Sequence, residues 1–284
     1  MKIRIVAAVL AGCLLAGCAG RKEIVEDDPD ELRASAELAV QQGKCSAALD
    51  DYRKLLRLVP GDTVALLAVG ECRLALGDAS RALVAFEEVL RREPESIDAQ
   101  EGRALARLGL GRNAEAAAGF NGVLTREPAR WRSLNGLGLL ADLAGDREAA
   151  KKWYEKAIDL NPDEATLWNN YGWSRVMAQD YAEAERLLDE AYARKPTSAR
   201  IVGNLSVAIA WRGDYERALR IAMRLAEEHV AYNDIGYIAM LRGDNETAMS
   251  FFQKAIDKSP AWFERAAVNL ERARKAAKEA AATP

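Results

Sequence analysis

Hydrophobic and polar residues follow a helical rather than an extended rhythm: Ala, Leu, Arg and Glu interleave, and runs of Val, Ile or Thr are almost absent. That pattern predicts an all-α protein. It also repeats. Prolines fall at Pro60, Pro94, Pro128, Pro162 and Pro196, each 34 residues after the last, and a fixed period predicts a stack of two-helix units. Independent positions keep the same register. Position 20 of every unit is alanine (Ala48, Ala82, Ala116, Ala150, Ala184, Ala218, Ala248), and position 8 is always small (Ala36, Gly70, Ala104, Gly138, Gly172, Ser206, Gly236). These are expected sites of closest approach between the helices of a hairpin, where a larger side chain would wedge them apart. Position 24 is bulky in most units (Tyr52, Phe86, Phe120, Tyr154, Leu188, Phe252) and is expected to fill the space between hairpins. Gly43, Gly77, Gly111, Gly145, Gly213 and Gly243 stand at position 15, where the turn between helices calls for positive φ.

The period and these positions resemble the tetratricopeptide repeat. The units run 29–62, 63–96, 97–130, 131–164, 165–198, 199–228 and 229–262. The resemblance implies a right-handed superhelical solenoid whose concave groove holds another protein. Two departures stand out. Ser35 occupies a place where a large apolar residue is usual, and the sixth unit is four residues short, with Val230 where proline would fall. The deletion is expected to shorten the second helix of that unit or the following turn, changing the superhelical pitch locally. Residues 263–284 read as a capping helix and tail, with Phe263, Ala267, Leu270 and Ala273 on one face and charges elsewhere. Solenoid ends need such a polar-backed cap.

Residues 1–17 have the form of an export leader: Met1-Lys2-Ile3-Arg4, an apolar run from Ile5 to Leu15, then Leu15-Ala16-Gly17-Cys18. The run is too short for a permanent membrane span. Leu-Ala-Gly-Cys resembles the bacterial lipoprotein box, which implies cleavage before Cys18 and acylation of that cysteine. An earlier copy, Leu10 to Cys13, would leave an apolar core of only about seven residues, at the short limit. Ala19 follows Cys18, and by resemblance to sorted lipoproteins the absence of Asp there implies the outer membrane, facing the periplasm. Residues 18–28 read as the lipidated cysteine and a charged tether.

Charge and chemistry narrow the function. The formal net charge is −3, and about −5 once Lys2 and Arg4 leave with the leader; the chain lacks the basic excess that phosphate backbones require. His229 is the one histidine, which removes most metal sites and most imidazole-based catalysis. Gly136 to Ala141 matches a dinucleotide fingerprint but lies inside a repeat helix with no preceding strand. Carboxylates such as Glu26-Asp27-Asp28 and Asp189-Glu190 fall on the tether or on a solvated helix face. The expectation is therefore a non-enzymatic scaffold with no metal, no cofactor beyond the acyl lipid, no nucleic acid and no small-molecule substrate. Cys45 and Cys72 occupy position 17 of the first unit and position 10 of the second. They are expected near one interface, either as a disulfide or as two buried free thiols.

In this repeat, positions 2, 5, 6, 9, 12 and 13 of each unit face the groove. In units five to seven these include Asn169, Asn170, Trp173, Met177, Arg200, Asn204, Trp211, Asn233, Tyr237 and Met240. Amides can hold a peptide backbone, and exposed Trp, Tyr and Met make apolar anchors. The same aromatics would serve packing if the helices were slightly rotated. Units two and three offer a plainer set, Leu67, Glu71, Leu74, Leu105 and Leu108, and opposite-face charges such as Glu185 and Arg220 are expected to matter little to partner capture.

Lipoprotein box, tether and repeats together resemble the TadD-like tetratricopeptide lipoproteins of the tight-adherence (Flp) pilus assembly system. The stretch Tyr232 to Asp244, then Ser259-Pro260 and Ala266 to Leu270, carries that resemblance most closely. It implies a pilotin-like role in assembling or localising a secretin, with membrane contact through the lipid alone and no catalytic residue. A periplasmic adaptor that brings a protease or peptidoglycan hydrolase to its substrate has the same architecture and stays open.

Overall fold

The computed structural model describes residues 28–282; the leader, Cys18 and most of the tether lie outside the described residues. Those residues form fifteen helices and no strand. Helices α1 (Pro29–Gln41) and α2 (Cys45–Leu58) make the first hairpin, α3 (Thr63–Ala75) and α4 (Ala79–Arg92) the second, α5 (Ile97–Gly109) and α6 (Asn113–Arg126) the third. Next come α7 (Trp131–Leu143) with α8 (Arg147–Leu160), α9 (Ala165–Met177) with α10 (Tyr181–Arg194), and α11 (Ala199–Trp211) with α12 (Tyr215–Ala222). The last hairpin is α13 (Glu228–Leu241) with α14 (Asn245–Lys258), followed by α15 (Glu264–Ala282). Consecutive helices pack on one another, and the first helices from α3 to α13 touch in series, so the hairpins stack into a superhelix.

Local chemistry explains where each helix stops and starts. Gly77 has φ +76° and its N–H reaches the Leu74 carbonyl at 2.9 Å, while the Asp78 N–H reaches back to Arg73 at 2.8 Å. These bonds satisfy the last carbonyls of α3. The Asp78 carboxylate then accepts the Arg81 N–H at 3.2 Å and opens α4. Asp146, Asp180 and Asp214 cap their second helices in the same way, at 3.0, 3.3 and 3.1 Å. At the other end, proline two residues past α2 and α4 blocks continuation, and Asp62 and Ser96 cap the next first helices.

The repeating small positions are all buried, and the alanines at position 20 are fully so. The glycines at position 8 do something more specific than let two backbones approach. A Cβ on Gly70 would lie 2.6 Å from the Phe86 ring, and one on Gly102, in the next hairpin, 2.4 Å from it. Gly138 stands in the same relation to Tyr154, and Gly172 to Leu188, at 2.7 and 2.6 Å. Phe86, Tyr154, Leu188 and Phe252 thus lie against the glycine of their own hairpin, and Phe86 and Phe120 are met by a glycine of the next, Gly102 and Gly136.

The short sixth unit loses its residues from the second helix. α12 has 8 residues where α10 and α14 have 14, and α13 starts at Glu228, one residue before the counted repeat. α15 packs on α13 and α14 as a cap, but its buried face differs from the expected one: Ala266, Asn269, Leu270 and Ala273 are buried, while Phe263 precedes the helix and Ala267 is half-buried. The helix begins one residue later than expected, and its rotation is set by contact with Phe252 and Ala248 rather than by the hydrophobic stripe alone.

Candidate functional site

The concave face carries a cavity of about 580 Å³ lined by Leu108 of α5, Leu139, Asp142 and Leu143 of α7, Arg147 at the start of α8, Asn169, Asn170, Trp173 and Met177 of α9, and Arg200 and Asn204 of α11. Its walls are apolar and open: Trp173 is 39% exposed, Met177 54% and Leu143 67%. Asp142 anchors the floor. Its carboxylate accepts the Tyr154 hydroxyl at 2.8 Å, the Ser174 hydroxyl at 2.7 Å and Arg147 at 3.3 Å. Burial pushes the Tyr154 phenol well above its ordinary range, and the adjacent Asp142 charge adds to this, so it stays a donor. Arg147 is committed, since it also donates to the Met177 carbonyl at 3.4 Å. The Arg200 side chain is exposed and makes no ion pair or hydrogen bond among the described residues.

Of the residues read from sequence, Asn169, Asn170, Trp173, Met177, Arg200 and Asn204 come together here. The others do not. Trp211 stacks on Tyr181, with centroids 5.1 Å apart and planes 3° from parallel, half-buried against the core around α11. Met240 packs against the Ala239, Ala248, Phe252 and Leu270 cluster. Tyr237 is exposed but lies one hairpin beyond the cavity lining.

The amides need a firmer correction. Asn169 and Asn233 are 3% and 2% exposed, and neither is free to hold a peptide. Asn204 donates to Asn169 at 2.9 Å, Asn169 to Asn170 at 3.4 Å, and Asn170 to Asn135 at 3.0 Å, a ladder that crosses three first helices. Asn269 of the cap donates to Asn233 at 3.1 Å. A buried amide without a partner costs on the order of 1–3 kcal/mol, so the stacked helices satisfy one another's amides first.

Sequence reasoning missed Leu139, Asp142 and Leu143, although they sit at groove positions 9, 12 and 13 of the fourth unit; the positional rule, applied without weighting aromatics, finds them. The plainer groove of units two and three is closed electrostatically. Glu71 takes a two-point bond from Arg132 at 3.0 and 2.7 Å, and nearby Glu101 is 1% exposed and accepts the Ser133 hydroxyl at 2.7 Å. Glu185, expected to lie away from the partner, is 8% exposed and bonds Arg212 at 2.7 Å as well as Arg217. Burial raises its pKa, but the two guanidinium hydrogen bonds outweigh that and hold it below the ordinary carboxylate value.

A solenoid of helical hairpins with an open apolar groove is a scaffold class of protein. Tetratricopeptide repeat models match residues 33–97, 73–130, 101–165 and 136–199, then 175–235 and 229–261. The chain belongs to the tetratricopeptide repeat family, whose members typically bind protein partners and are generally not enzymes. Among solved structures it is similar to a tetratricopeptide repeat protein from Parabacteroides merdae ATCC 43184, at 19% identity over 87% of this chain and 98% of that one, with a TM-score of 0.54. It is also similar to a chain of the APC/C hetero-tetramer Cut9-Hcn1, at 19% identity over 86% of this chain and 48% of that one, with a TM-score of 0.62. No curated protein matches the sequence significantly. No described helix is long and apolar enough to cross a membrane.

Proposed function

We propose that this protein is an outer-membrane lipoprotein scaffold of tight-adherence (Flp) pilus assembly, held at the periplasmic face by acyl chains on Cys18 and acting, pilotin-like, on the secretin. The groove over α7, α9 and α11 receives the partner. The observation that carries the reading is the coincidence, in one cavity, of exposed apolar walls (Leu143, Trp173, Met177) with one uncommitted guanidinium, Arg200. A partner segment with apolar side chains and a carboxylate suits that surface, since the anchors exclude water and the cation sets register. The lipoprotein box and the resemblance from Tyr232 to Asp244 point to the pilus system. Each acyl methylene contributes about 0.8 kcal/mol to membrane binding, so several chains hold the protein there effectively permanently.

The test pairs Trp173→Ala with Arg200→Glu in a strain carrying the pilus genes. Secretin multimers in the outer membrane and surface pili should fall while helicity by circular dichroism stays unchanged, each anchor contributing on the order of 1–3 kcal/mol to capture of the secretin. Normal secretin multimers and normal pili in a clean deletion strain would remove the pilus reading and favour a hydrolase or protease adaptor. Mass spectrometry of the mature N-terminus tests the anchor: a first residue other than acylated Cys18 overturns it.

A further inference from the structure

The first and last hairpins of the solenoid end differently. At the C-terminal end α15 covers the last hairpin, whereas among the described residues no helix precedes α1, which packs on α2 and leaves Leu38 55% and Val40 39% exposed. In a one-dimensional stack a terminal hairpin has one neighbour and frays most easily. At the junction that holds this hairpin, Cys72 of α3 is 1% exposed in a cluster with Leu32, Ala36, Tyr52 and Leu55, and Cys45 packs against the same cluster from the first turn of α2. The structure holds both as free thiols packed at this one cluster. Sequence spacing favours the bond and leaves two free thiols as the alternative.

We propose that Cys45 and Cys72 are a disulfide-forming pair whose oxidation staples the first hairpin to the second. The partner reagent is a disulfide oxidant, either a small one such as oxidised glutathione or a thiol–disulfide oxidoreductase. Cys45, which is part exposed, attacks first as its thiolate: its sulfur bonds one sulfur of the oxidant, the oxidant's S–S bond breaks, and one thiol leaves. The Cys72 sulfur then attacks Cys45, its proton passing to the departing second thiol. Two electrons and two protons have moved from the cysteine pair to the oxidant. Burial pushes the Cys72 thiol up to about 12, with the neighbouring Cys45 sulfur adding to the shift, which suits Cys72 to the resolving rather than the attacking role.

The experiment uses the full chain carrying Cys13→Ser and Cys18→Ser, equilibrated with graded ratios of reduced to oxidised glutathione, and is independent of any pilus function. Mass spectrometry should show a loss of two hydrogens and a cross-linked peptide joining Cys45 to Cys72. Hydrogen exchange in α1 and α2 should slow by about tenfold or more on oxidation, and a further Cys45→Ser change should abolish both signals while circular dichroism stays helical. Two alkylatable thiols under excess oxidised glutathione, or a lasting glutathione adduct on Cys45, would overturn the bond. A bond that forms with unchanged exchange in α1 would overturn the staple.

Discussion

Gln179 takes the turn position that glycine holds in the other hairpins, and it is the one non-glycine residue with positive φ, 61°, among the described residues. A Cβ in that conformation is strained, at roughly 1 kcal/mol. Gln179→Gly should therefore raise stability by no more than about 0.6 kcal/mol, net of the added freedom of the unfolded chain, as a small rise in the urea midpoint. Gly102 shows the opposite constraint. An added methyl 2.4 Å from the Phe86 ring forces the ring or the helix to move, so Gly102→Ala should cost about 1–3 kcal/mol. Phe86→Leu in the same background should recover part of that loss if the clash is local, because the two sites share one contact. Small residues in register were legible in the sequence. That a specific ring from a neighbouring helix required them was not, because the ring reaches its glycines only once the hairpins stack.

At the level of elements, the short α12 is held by charge as well as packing. Glu185 of α10 bonds Arg212 at the end of α11 and Arg217 within α12, so one buried carboxylate ties three helices together. Its pKa lies below the usual 4.5, so the stabilisation it brings is fully present above that value and is lost as pH falls through the folded-state value. Asp189, also facing Arg217, works the other way: burial raises its pKa, so its charged form weakens the fold at neutral pH. Glu185→Gln should lower stability by about 1–2 kcal/mol at pH 7, with the gap to the wild type narrowing below about pH 4. Urea titrations of both proteins from pH 3 to 7 check this; a constant gap would mean the ion pairs contribute little. The shortening itself could be read from a missing four residues. The ion pairs that replace the lost turn could not, since Glu185 and Arg217 are 32 residues apart.

On the scale of the whole molecule, cooperation runs along the stack, with core clusters spaced from α1 to α15. Removing α15 by truncation after Trp262 uncovers Phe252 and Ala248 and removes buried Leu270, Ala266 and Ala273. It should cost on the order of 2–3 kcal/mol and speed hydrogen exchange in α13 and α14 first, leaving α3 to α8 nearly unchanged. Uniform acceleration along the chain would mean the solenoid unfolds as one unit. Period, hairpin boundaries, turn glycines and packing alanines were all determined by the sequence, because each depends on neighbours within one or two helices. Which groove residues stay available was decided only by tertiary structure. Asn169 spends its amide on Asn170 and Asn204, and Trp211 lies flat on Tyr181. Trp173 and Arg200, at equivalent-looking positions, keep their surfaces open. Groove periodicity says which way a side chain points, but its partners are chosen among residues some thirty positions away, and those meet only when the superhelix closes them together.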